Sequence, residues 1–213
     1  MTAHLDPAAA LADPAALLDR AIGFALGAVQ AVTPERLSDP TPCAKWDLRS
    51  LLLHVTDSLD VLCDGLDTGQ VDLPVLVGAG AGAGGGAAGD PAAQVRDRAA
   101  RLRGWASHTA RSEPVRIADS ALDPRIVLGV GAIEIAVHGW DIGRACGLRR
   151  PIPPALAADL AGICALVVTS ATRHPAFADP VAVPDRACPS DQLIAFLGRD
   201  PNAAHDFPRR DST

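Results

Sequence analysis

The sequence predicts an all-α protein, a bundle of helices followed by a short, mostly helical C-terminal appendage. Three observations carry this prediction. Asp-Pro pairs at 13–14, 90–91 and 123–124 each supply an N-cap and a first-turn proline. Leu48, Leu52, Val55, Leu59, Leu62 and Leu66 recur in alternating steps of four and three, the stripe of a bundle helix. Strand signals are nearly absent, with residues 180–183 the one candidate.

Taken in order, Asp13 and Pro14 open a first helix whose apolar spacing runs to about Val32 and stops before Pro34. The turn SDPTPCAKWD follows, and Asp47 caps a second helix from Leu48 to about Leu66. Trp46 before that cap and Leu51 after it are placed to form a hydrophobic staple. Residues 78–89, GAGAGAGGGAAG, lack the strand and βαβ context of a nucleotide loop and read as a flexible surface linker. Asp90 and Pro91 open a third helix to about Arg111. A fourth follows Asp123 and Pro124, reaches Cys146 and stops at Gly147. Residues 154–173 read as a fifth helix, and Ser190 caps a short sixth one through Leu197.

Composition narrows the partners. With 48% apolar residues a real core is available, and a net charge of −6 without blocks of like charge gives no nucleic-acid face. Three Trp, four Phe and no Tyr leave little for stacking bases. The N-terminus has no basic n-region and the apolar run 21–32 is too short to span a bilayer, so a cytoplasmic protein without a membrane partner is expected. Cys43, Cys63, Cys146, Cys164 and Cys188 are scattered without CxxC spacing, as reduced thiols would be. The expected partner is a small-molecule substrate.

The chemistry gathers in GAIEIAVHGWDIGRACG, residues 131–147, where the helix is apolar nearly all round and therefore buried. Glu134, His138 and Asp141 fall at i, i+4 and i+7, on one stripe. A carboxylate in that setting is protonated, salt-bridged or bound to metal. An ion pair with an arginine such as Arg20 or Arg103 would satisfy it without any ligand. His54 lies on the line Leu51, His54, Ser58, Val61, beside the apolar seam of the second helix; alone it reads as a boundary residue. Together the three side chains make the usual protein complement of an open catalytic zinc site, and bundle cores build metal sites by this convergence of facing helices. His54, Glu134 and His138 are thus the candidate ligands. The same donors suit nickel, iron or manganese.

Glu134, His138, Asp141 and Arg144 are the candidate catalytic residues. Asp141 has two readings, an acceptor orienting a ligand imidazole or a structural partner of Arg144 and nearby backbone, and the second is preferred. Arg144 either holds an anionic substrate or pairs with Asp141. Asp57, one turn beyond His54, reads as solvated in preference to an extra ligand. Trp46 and Trp140 read as packing, Cys43 as a small buried residue, and His4, His108, His174 and His205 as surface histidines.

TPCAKWDLRSLLLHV, EIAVHGWDIGRACG and the later FADPVAVPDRACPSDQLIAFLGRDP resemble the actinobacterial branch of the DinB-like metal-binding superfamily. That branch is related to the N-terminal domain of mycothiol-dependent maleylpyruvate isomerase and to mycothiol S-transferases. The resemblance implies a DinB-like four-helix bundle holding a divalent ion, usually zinc, in an open pocket. Position by position, the family's ligands match His54, Glu134 and His138. It implies residues 1–150 as the metal-binding bundle and 151–213 as an extension packed on it, and it allows a homodimer. Residues 148–213 are shorter than the mixed α/β domain of the isomerase, so maleylpyruvate itself is not carried over.

A thiol coordinated to such an ion loses its proton at neutral pH. The leading expectation is therefore a metal-dependent thiol transferase or cis–trans isomerase, with mycothiol as the thiol and an electrophilic small molecule as the second substrate. Three alternatives stay open: Lewis-acid hydrolysis, elimination or cyclisation in specialised metabolism, a non-enzymatic metal-binding bundle, and an empty pocket with Glu134 neutralised by a salt bridge.

Overall fold

A computed structural model of the chain describes residues 12–43, 46–71, 89–108, 113–117, 120–174 and 177–203. Its first four α-helices begin where short acidic caps satisfy backbone donors that have no partner inside the helix. Asp13 accepts from Ala16 N at 3.0 Å to open α1 (Pro14–Val29), and Asp47 accepts from Ser50 N at 2.8 Å to open α2 (Leu48–Thr68). Asp90 accepts from Ala92 N at 2.9 Å ahead of α3 (Pro91–His108). Asp123 accepts from Arg125 N at 2.8 Å ahead of α4 (Pro124–Ala145).

The four helices close a ring in which α1 packs on α4, α4 on α2, α2 on α3 and α3 on α1. This is the mainly helical, DinB-like bundle that the sequence predicts. Helix α4 is its centre. By length and composition α4 would cross a membrane, but 83% of its apolar stretch is buried inside the protein, so the core accounts for that apolarity. Gly139 lets α1 approach closely, since an ideal Cβ there would lie 2.7 Å from Ala25 Cα. Helix α5 (Pro154–Val167) lies against α4 and α1, and α6 (Pro189–Phe196) packs on α5.

Several boundaries differ from the sequence expectation for identifiable reasons. Helix α1 ends at Val29, where Ala31 N and Val32 N bond the carbonyls of Ala28 and Val29 in tight turns. Helix α5 ends at Val167, six residues short of 173, because Thr172 Oγ1 donates to Val167 O at 2.7 Å and accepts from Thr169 N at 2.9 Å. Cys188, not Ser190, stands at the entry to α6; Ser190 Oγ is buried and accepts from Ile152 N at 3.0 Å, tying α6 to the α4–α5 link. Residues 180–183 form no strand, although Val181 N donates to Ala195 O at 2.9 Å. Helix α3 is described to His108; residues 109–111, and the glycine-rich segment 78–89 except Gly89, lie outside the described residues.

A small sheet was not legible in the sequence. β1 (Gln70–Val71) runs parallel to β2 (Val115–Ile117), which pairs antiparallel with β3 (Ser120–Leu122). Strands of two or three residues are too short to show alternation. The sheet continues from the C-terminal end of α2, roughly 20 Å along that helix from His54 at about 1.5 Å per residue.

Candidate metal centre

Helices α2 and α4 run antiparallel, with Leu62 against Gly131 at one level and His54 against Glu134 at another. His54 sits on the second turn of α2, beside the buried row Leu48, Leu51, Leu52 and Val55. The cap at Asp47 fixes where that turn begins, and so sets the height at which His54 meets α4. From α4, Glu134 and His138 project one turn apart.

Glu134 Oε1 is shared by two imidazoles: His54 Nε2 lies 2.8 Å away and His138 Nε2 3.1 Å away. The three donor atoms all lie within 4.8 Å of one another. Tetrahedral zinc at about 2.0–2.1 Å from nitrogen and oxygen ligands would set them roughly 3.3 Å apart. Both separations from Glu134 Oε1 are slightly shorter than this, so the donor set fits a divalent ion after a small adjustment. On its inner side His138 Nδ1 donates to Asp141 Oδ2 at 3.0 Å, which leaves Nε2 to face the other two ligands. The Trp46 ring lies 4.4 Å from that of His54 and 5.9 Å from that of His138, walling the site from the side of the α2 entry turn.

Exposure decides which side is open. The side chains of Glu134 and His54 are 31% and 22% exposed, whereas those of His138 and Asp141 are 6% and 0%. The cluster is open to solvent on the side of His54 and Glu134.

The electrostatics are those of a tightly coupled set. Burial works to raise the Glu134 carboxyl, but the charge of His138 and hydrogen bonds from His138 and His54 hold it well below the usual carboxylate range. Burial works to lower His138, and Glu134 together with Asp141 overrides it, pushing the imidazole up to about 9. Asp141 is likewise held below its ordinary value against burial, first by the charge of Arg199 and then by His138.

The arginine pairing considered for Glu134 is not the one observed. Arg20 bonds Asp159 and Arg103 bonds Asp19, each at 2.6 Å. Nor does Asp141 pair with Arg144, the partner the sequence reading preferred. Asp141 takes His138 and Arg199, while Arg144 Nη2 donates to Ala203 O at 2.7 Å and its guanidinium sits 5.5 Å over the Trp140 ring. Arg144 Nε has no hydrogen-bond partner among the described residues. Asp57 is exposed and stands outside the three-ligand cluster. The five cysteines form no disulfide, and burial pushes the thiols of Cys63 and Cys146 up to about 11 and that of Cys164 to about 12, so these three are poor nucleophiles. His174 is exposed and lies 3.3 Å from Asp179. His4 and His205 lie outside the described residues.

Sequence reasoning missed two contributors. Trp46 was read as packing; it does pack against the core, and its ring also borders both ligand imidazoles. Arg199 was not singled out; 58 residues separate it from Asp141, and no periodicity joins positions that far apart. The glycine before it marks a helix stop, which tells where the chain turns but not onto what.

The family model described as mycothiol maleylpyruvate isomerase N-terminal domain matches residues 18–143. That span takes in His54, Glu134, His138 and Asp141, and ends before Arg199. Uncharacterized protein Rv0738 of Mycobacterium tuberculosis, and its counterpart MT0763 from a second strain, are each 26% identical over 170 residues, covering 79% of this chain and 87% of the relative. No solved structure matches the chain.

Proposed function

Because the chain belongs to the mycothiol maleylpyruvate isomerase N-terminal domain family, we propose that it is a cytoplasmic, divalent-metal-dependent enzyme. In this reading it activates a small thiol, mycothiol, for S-transfer to, or cis–trans isomerisation of, an electrophilic small molecule. One observation carries the metal: a single carboxylate oxygen of Glu134 lies within hydrogen-bond distance of imidazole nitrogens from two helices. Zinc is the ion whose ligand count and chemistry this set suits best.

When bound, such an ion lowers the pKa of a thiol that enters its open side and orients the sulfur for attack. The chain's own residues do the rest. His54 and Glu134, the exposed members, define the approach, and the buried His138 anchors the inner side. Trp46 covers one flank. Two neutral imidazoles and one carboxylate leave a net positive centre, which favours an anionic sulfur over a neutral one. Transfer and isomerisation differ in whether the new carbon–sulfur bond persists or breaks after rotation.

The test is incubation of zinc-loaded protein with mycothiol and a panel of electrophiles, followed by mass spectrometry. Thiol-dependent product formed by the wild type and lost in Glu134→Gln is the expected result. Turnover that proceeds without thiol would overturn the thiol reading in favour of Lewis-acid chemistry.

A further inference from the structure

We propose that Arg199 is a positioning residue of the metal centre, a clamp supplied by the C-terminal segment that fixes Asp141 and, through it, the His138 imidazole. The inference rests on the metal reading above. It adds a residue outside the span that the family model matches, and makes the C-terminal segment part of the site.

Asp141 is fully buried and receives donors on both oxygens. Arg199 Nε donates to Oδ1 at 3.2 Å and to Oδ2 at 3.3 Å, Arg199 Nη2 donates to Oδ2 at 2.9 Å, and His138 Nδ1 donates to Oδ2 at 3.0 Å. A surface ion pair of this kind contributes little. Here the Arg199 side chain is 10% exposed and that of Asp141 0%, so removing one partner leaves the other as a buried, uncompensated charge. Without the guanidinium, nothing in that contact fixes Oδ1 and Oδ2, and Oδ2 is the atom that His138 Nδ1–H bonds. The ring then loses its fixed tautomer and the orientation that turns Nε2 toward Glu134 and His54.

The backbone aims the arginine. Helix α6 ends with Gly198 at φ 83°, Gly198 N bonds Ala195 O at 3.0 Å, and Arg199 N bonds Ile194 O at 3.1 Å. This pair of bonds around a left-handed residue reverses the chain at the helix end. A side chain at Gly198 would lie 2.8 Å from Ala178, so glycine is required sterically as well as conformationally. Arg199 Nη1 also donates to Leu197 O at 3.2 Å, which holds the fork in register with the carboxylate.

A pure fold staple and a positioning residue make different predictions. Zinc affinity is measured by competition with a chromophoric chelator in the full chain, for wild type, Arg199→Lys, Arg199→Met and the double variant Asp141→Asn/Arg199→Met. Nitrogen NMR of the histidine side chains in the zinc-loaded chain reports the His138 tautomer, Nδ1–H with Nε2 on the ion or the reverse, alongside. Arg199→Met is expected to weaken zinc binding about 10- to 100-fold, the usual cost of removing a group that orients a ligand, and Arg199→Lys to recover part of it. The double variant carries no lone buried charge; it is expected to regain the thermal stability that Arg199→Met loses, but not the affinity. A mixed His138 tautomer should accompany the weaker binding. Wild-type affinity and a wild-type tautomer in the folded variants would overturn the inference while leaving the metal reading intact. A wild-type chain that binds no zinc would overturn both.

Discussion

Glu134 and His138 are each other's partners in the absence of an ion, and this gives the protein two opposed responses to pH. His138 titrates near 9 in the folded chain against 6.5 for a free imidazole, so its protonated pairing stabilises the metal-free fold fully below 6.5 and is lost as the pH rises from there through about 9. A divalent ion needs that same nitrogen deprotonated, so its affinity should rise across the same window, with protons released on binding. Thermal melting of the metal-free protein and zinc titration over this range check the opposite slopes; parallel slopes would mean that His138 does not meet the ion. Glu134→Gln and His138→Ala are expected to abolish stoichiometric metal, as read by elemental analysis, whereas Cys43→Ser should leave it in place. Retained metal in both of the first two variants would remove them from the ligand set.

At the scale of elements, the site is made by the register between α2 and α4, while the closeness of α1 to α4 holds α4 in the bundle. Gly139 permits that closeness, and Gly139→Ala should destabilise the fold by about 1–3 kcal/mol, because the added methyl meets the Ala25 backbone and overpacks the contact. Denaturant unfolding measures this, and an unchanged midpoint would show that the helices separate freely. What was legible in the sequence follows from range. The Asp caps and the leucine stripe of α2 are local signals, and each has its expected counterpart in the structure. The i, i+4, i+7 spacing likewise placed Glu134, His138 and Asp141 on one face. The short sheet, the early stop of α5 and the role of Ser190 depend on tertiary partners: a hydroxyl that caps a distant backbone amide leaves no periodic trace. Arg199 was hidden for the same reason, and the nearer Arg144 drew the assignment that belonged to it.

For the whole molecule, core and site are separable. The buried apolar residues of α1–α4 form a continuous cluster, and the ligands satisfy one another without an ion. Chelation should therefore leave the helical circular dichroism intact and lower the melting temperature, since an ion at 100 times its dissociation constant adds roughly 2.7 kcal/mol. Collapse of the helical signal on chelation would instead make the ion a folding requirement. The most direct test of the central claim is elemental analysis of untagged protein, wild type beside His54→Ala. The account predicts about one equivalent of a divalent metal, zinc first, in the wild type and its loss in the variant, as an open three-ligand site requires. A wild type that takes up no metal even after reconstitution with zinc would contradict it, and would reduce Glu134, His54 and His138 to a buried hydrogen-bonded cluster.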